Sequence, residues 1–141
     1  MSTQQIRTDR LASATVTTRR RRQHLRRMAL GAFGERLAAA HLAAEGLTLL
    51  DRNWRCRYGE LDLIARDDTT IVFCEVKARR SDRYGPPAAA VVARKADRIR
   101  HLALRWLSDT DTHAADLRFD VITVLSPFDA PVRLEHLRSA F

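Results

Sequence analysis

Gly59-Glu60-Leu61-Asp62-Leu63-Ile64-Ala65-Arg66 and Ile71-Val72-Phe73-Cys74-Glu75-Val76-Lys77 are two short, mostly apolar segments joined by Asp67-Asp68-Thr69-Thr70. Each reads as a half-buried strand, and the polar connection reads as a hairpin turn that sets them side by side. Side chains two apart on a strand face the same way. Glu75 and Lys77 therefore share a face, and by the same period Glu60 shares the face of Asp62. As an exposed charge pair, Glu75 and Lys77 would be worth little. The apolar run Ile71 to Cys74, with Val76 between the charges, instead suits a central strand, where charged groups need a partner or a metal.

Working outward, Leu47 to Trp54 reads as a preceding strand and Arg55 to Tyr58 as its connection. Upstream, Leu30, Phe33, Leu37, Ala40 and Ala44 recur at helical spacing, with Gly46 as a stop; this helix carries Glu35. Downstream, Ser81 to Pro87 is a loop broken by Gly85-Pro86-Pro87. A second helix over Ala88 to Leu107 has Val92, Ala96, Ile99, Ala103 and Trp106 as its buried stripe. Lys95 lies on the flank of that stripe, while Arg94, Arg98, His101 and Arg105 form a basic stripe read as the solvated side, with contact to a phosphate backbone as the alternative. Arg118 to Leu125 is a fourth strand and Val132 to Leu137 a fifth. The order α-β-β-β-α-β predicts an α/β domain with a mixed sheet flanked by helices.

The chain has 141 residues, 45% of them hydrophobic, which suits one domain with a real core. It has no apolar run of membrane-spanning length and no apolar stretch after the basic N-terminus, so neither membrane insertion nor a secretory signal is expected. Cys56 and Cys74 form no CxxC pair and read as reduced thiols of a cytoplasmic protein. The net charge of +8 is unevenly placed. Residues 1–27 hold eight arginines and the single acid Asp9, which leaves 17 basic and 16 acidic side chains in residues 28–141. The expected organisation is a disordered arginine-rich extension over 1–27 and a nearly neutral domain over 28–141. Such an extension suits nonspecific contact with phosphate backbones.

Mg²⁺ or Mn²⁺ prefers oxygen ligands. Asp62 and Glu75 could offer two carboxylates, the Val76 carbonyl a third oxygen, and Glu35 a further ligand, directly or through water. A metal there would polarise a phosphodiester and make a bound water more acidic. Lys77 could orient that water or stabilise the charge that develops on the phosphate. Glu60 either assists or pairs with a nearby arginine, Lys95 is an accessory candidate, and Glu35 would also suit a helix start simply as an acid. The histidines at 24, 41, 101, 113 and 136 show no metal-ligand spacing, and His41 is expected on a helix surface. No glycine-rich phosphate loop or nucleophile elbow is present, and Cys74 is expected to be buried and inert.

Asp62 followed by Glu75-Val76-Lys77 resembles the PD-(D/E)xK nuclease superfamily. Gly31-x-x-Gly34-Glu35, Gly46, Asn53, Gly59 to Ile64, Val72 to Lys77, Arg79, Gly85 and Lys95 together look like the YraN family of small bacterial proteins, over about residues 30–125. That resemblance implies a restriction-endonuclease-like fold similar to archaeal Holliday-junction resolvases. It also implies an acidic site at Glu35, Asp62 and Glu75 with Lys77 beside it. Cys74 departs from the family's usual small aliphatic residue, and the arginine-rich segment extends beyond the family core. The expected function is a metal-dependent nuclease acting on DNA, including branched or structured DNA, with a homodimer as the expected assembly of such enzymes. The alternative is a noncatalytic nucleic-acid-binding or accessory protein that retains the fold.

Overall fold

The computed structural model describes residues 3–81, 83 and 93–141, and of residues 3–14 the backbone alone. The elements in chain order are α1 (Thr3–Ala44), β1 (Thr48–Cys56), β2 (Gly59–Asp67), β3 (Thr70–Arg79), α2 (Ala93–Asp109), β4 (Asp116–Leu125) and β5 (Arg133–Leu137). The five strands form one sheet in sequence order, antiparallel except for the parallel pair β3–β4. A parallel neighbour needs a crossover, and α2 supplies it. This is the mixed α/β sheet expected from the pattern. The Gly85-Pro86-Pro87 loop, the start of the second helix at Ala88 and the buried role of Val92 lie outside the described residues.

Helix α1 begins at Thr3 rather than at Leu30, so the segment read as a disordered extension continues the helix. Residues 15–29 are exposed along it, and packing against the sheet starts at Leu30. The physical reason is cooperativity: once the packed half forms a helix, arginine, glutamine and leucine propagate it at little cost. The packed stripe also differs from the expected one. Gly34, Ala38, Ala39 and Leu42 are buried, whereas Ala40 and Ala44 are exposed. No helix among the described residues is long and apolar enough to cross a membrane.

Each sheet face carries its own core. On one face Leu63, Ala65, Val72, Cys74, Ile122 and Val124 pack against Ala38, Ala39 and Leu42 of α1. On the other, Ile64, Ile71 and Phe73 pack against Ile99, Leu102, Ala103 and Trp106 of α2. The Trp106 ring meets Phe73 edge-on, and its indole N–H donates to Asp51 Oδ2 at 2.9 Å, which seats α2 on the sheet. Strand alternation then puts Glu75 and Lys77 on the α2 face, with Phe73. Cys56 packs with the α2-side cluster and Cys74 with the α1-side one, so the two thiols are separated by the sheet.

Gly34 is where α1 comes closest to β3. A Cβ on Gly34 would stand 2.7 Å from Ala78 Cβ, inside any normal contact. Alanine would gain about 1 kcal/mol in helix propensity, while overpacking costs about 1–3 kcal/mol. Gly34→Ala is therefore expected to lower stability by up to about 2 kcal/mol, read from the urea midpoint at unchanged m-value.

Asp120, fully buried on β4, ties the α1 side together. It accepts bonds from Arg118 Nε and Nη2, each at 2.9 Å, from the Ser139 N–H at 3.1 Å, and from His136 Nε2 at 2.7 Å. Arg118 also reaches Asp67 at 3.1 Å. His136 Nδ1 meets His41 Nε2 at 3.0 Å. His41 is thus half-buried rather than on the helix surface, because β5 lies under the last turn of α1.

Candidate active site

The site is set by a fork in the sheet. Pairing of β2 with β3 stops at Leu63↔Cys74, although β2 stays paired with β1 to Gly59 and β3 with β4 to Arg79. Beyond that point the two strands diverge, and Val76 faces the gap. Asp62 fills it, with Oδ2 accepting the Val76 N–H at 2.9 Å. The N–H and C=O of one strand residue point toward the same neighbour, so the Val76 carbonyl also opens into the fork.

Asn53 marks the same place on β1. It holds a left-handed φ of 49°, and the pairs Arg52↔Leu63 and Trp54↔Leu61 flank it. Asparagine tolerates this region better than most residues. Here the β1–β2 ribbon turns over: Leu63 packs on the α1 side, but Leu61 packs on the α2 side. The period of two therefore does not carry from Asp62 to Glu60. Glu60 lies at the rim and pairs with Arg55 at 2.9 Å, both groups well exposed.

Glu35, Gly59, Glu60, Asp62, Glu75, Val76, Lys77, Lys95, Arg98 and Ile99 line one cleft of about 360 Å³. Every residue singled out for chemistry in the sequence thus borders a single space, with α1 supplying Glu35, the fork Asp62 to Lys77, and α2 Lys95. Glu75 Oε1 contacts Lys95 Nζ at 2.5 Å and Lys77 Nζ at 3.5 Å, and the Glu75 side chain is only 10% exposed.

Burial pushes the Asp62 carboxyl up to about 7; the Glu75 charge adds to this, and the Val76 N–H opposes it. Burial, together with the neighbouring Lys95, lowers the Lys77 ammonium below its usual range. Burial would lower Lys95 as well, but its bond to Glu75 outweighs that and holds Lys95 above its usual value. Two acids crowd the fork and two lysines compensate them. This is how functional clefts come to hold perturbed groups.

Among the described residues, no three His, Cys, Asp or Glu side chains stand together in a metal-holding arrangement. Glu75 is engaged by lysines, and one Asp62 oxygen by a backbone N–H. The donor chemistry nevertheless suits a hard cation: Asp62 and Glu75 are carboxylates, and Asp62 resists ionising without a nearby positive charge.

One charged residue that lines the cleft was not singled out for chemistry in the sequence. Arg98 belongs to the stripe read as solvated, yet it borders the cleft. Thr123 pairs with Lys77 across β3–β4, and its buried hydroxyl has no partner among the described residues. The expected inertness of Cys74 agrees with a thiol that burial raises well above its ordinary range.

A family model described as "Uncharacterised protein family UPF0102" matches residues 34–124. A UPF0102 protein of Frankia casuarinae is 58% identical over 113 residues, covering 80% of this chain and 96% of its own. One from Frankia alni is likewise 58% identical over 113 residues, covering 80% of this chain and 94% of its own. A UPF0102 protein of Nocardia farcinica is 50% identical over 132 residues, covering 93% of this chain and all of its own.

Proposed function

The chain belongs to the uncharacterised protein family UPF0102, and we propose that it is a metal-dependent nuclease hydrolysing phosphodiester bonds in DNA. The observation that carries this reading is the buried Asp62–Glu75 pair in the strand fork, compensated by Lys77 and Lys95. Asp62, Glu75 and the Val76 carbonyl would hold Mg²⁺ or Mn²⁺, with Glu35 completing the shell. When bound, the ion supplies Lewis-acid polarisation of the phosphate and makes water more acidic.

The chain's own residues do the rest. Lys95 neutralises Glu75 and would be placed to contact a phosphate oxygen if Glu75 held a metal. Lys77, whose ammonium burial holds below its usual range, is suited to orient water at the cleft. The two thiols, separated by the sheet, form no structural bridge, which fits a cytoplasmic setting.

The test is incubation of purified protein with Mn²⁺ or Mg²⁺ and labelled duplex, flap and junction DNA. Cleavage abolished by chelation is expected, and Lys77→Met should slow it by roughly 100-fold. No cleavage of any substrate, or cleavage indifferent to chelation, would sink the reading. The alternative of a noncatalytic binding protein draws on the Lys95–Glu75 ion pair, which occupies the carboxylate a metal would need. It is favoured if DNA binds and no metal-dependent cleavage appears.

A further inference from the structure

Beside the cleft lies a second, larger groove of about 560 Å³, lined by Tyr58, Arg98, His101, Leu102 and Arg105. Arg98 borders both spaces. Gly59, which lines the cleft, touches the other side of the same wall: a Cβ added there would meet Leu102 Cδ1 at 3.2 Å and Arg98 Cδ at 4.0 Å. The two spaces are therefore neighbours across one arginine and one glycine turn. The groove has an apolar side made by Tyr58 and Leu102. Its described lining is otherwise basic and contains no acid.

Tyr58, at the β1–β2 turn, is 56% exposed and packs in neither core. The Arg105 guanidinium lies 5.0 Å and the Arg57 guanidinium 5.2 Å from its ring centre. The ring thus gathers cations at the groove's mouth. Arg105 also approaches Asp109 at 3.9 Å, a long and exposed contact that leaves it largely available. Arg94, Arg98, His101 and Arg105 follow one another at steps of four, three and four, so the stripe runs along α2 from the cleft past the groove.

We propose that this groove receives an unpaired nucleotide adjacent to the phosphodiester bond held at Asp62 and Glu75. The inference rests on the nuclease reading and narrows its substrate to nucleic acid with a single-stranded or displaced nucleotide. A base needs an aromatic or apolar surface, and its phosphates need cations; Tyr58 with Leu102 supplies the first, Arg98 and Arg105 the second. A base stacked on Tyr58 takes the place of one guanidinium, which then turns to a phosphate. A paired base cannot leave its stack without a cost of a few kcal/mol, so the groove discriminates by pairing rather than by sequence.

The test uses the full chain carrying Asp62→Asn, in chelator, so that binding is read without cleavage. Fluorescence anisotropy compares a labelled DNA single strand with a blunt duplex of equal length. Single-strand binding is expected to be the tighter. Adding Tyr58→Ala should weaken it about 10-fold while shifting duplex binding less than about 2-fold. Adding Arg98→Ala should reduce the salt slope by roughly one. Thermal unfolding of each variant shows that it is folded. Equal losses on both probes, no loss with Tyr58→Ala, an unchanged slope with Arg98→Ala, or no DNA binding at all would each overturn the inference. The nuclease reading fails separately, through the cleavage assay with metal. Cleavage that ignores Tyr58 retains the nuclease and sinks the groove.

Discussion

Asp62→Asn is expected to cut metal-dependent cleavage by roughly 100- to 1,000-fold, the scale lost when one charge-stabilising group is removed, while making the domain more stable. The two effects have one cause. The Asp62 carboxyl is 8% exposed and pushed up to about 7 by burial and by Glu75. Between about pH 4 and pH 7 the folded chain keeps a proton that the unfolded chain has released. Stability therefore falls as pH rises through that window, and the penalty is fully present above pH 7. Three pH units correspond to about 4 kcal/mol as a ceiling; coupling to Glu75 makes about 2–3 kcal/mol the working figure. Asparagine keeps an acceptor for the Val76 N–H and carries no charge. Urea unfolding at pH 5 and pH 8 should show a downward step for the parent and a flat line for the variant. Mn²⁺ should restore the parent's stability at pH 8 and leave the variant unmoved. A variant that loses stability, or cleaves as well as the parent, contradicts the assignment of Asp62.

Asp120→Ala should act in the opposite sense, costing about 3–5 kcal/mol because a buried pair loses one member. Arg118 would keep only Asp67, and His136 would lose its acceptor. Burial works to raise the Asp120 pKa, but Arg118, His136 and the Ser139 N–H outweigh it and hold the carboxyl below its usual range. The stability it contributes is present above about pH 4 and is lost as pH falls through the folded-state pKa. The parent should therefore weaken steeply below pH 4, and Asp120→Ala should show less of that acid-side loss. Guanidinium unfolding at pH 3 and pH 6 measures both, and equal acid sensitivity in the two proteins would remove Asp120 from this role.

The contrast between these two aspartates shows which parts of the molecule a linear reading reaches. Asp62, Glu75 and Lys77 were readable because local periodicity and a short hairpin already bring them together. Asp120 was not singled out. It is one acid in Phe119-Asp120-Val121-Ile122, and its partners outside its own strand lie at positions 136 and 139. Arg98 is exposed, as the helical wheel places it, but a wheel separates buried from exposed sides and does not reveal a cleft at their border. The start of α1 was missed because the arginine segment has no apolar stripe, and helical propagation needs none.

Alternation of apolar residues determined the strands, the hairpin joining β2 to β3, and the shared face of Glu75 and Lys77, because side-chain direction along a strand is a local property. It also determined that a helix must cross between β3 and β4, because a parallel neighbour cannot be reached by a turn. Tertiary structure alone decided that β2 and β3 part company after Leu63↔Cys74, that Asp62 fills the gap against Val76, and that Lys95 meets Glu75. Those outcomes depend on the twist at Asn53, the close approach at Gly34 and the seating of α2 by Trp106. Each is a packing event between segments far apart in the chain, and the low-dielectric cleft they enclose turns ordinary acids and lysines into a perturbed set.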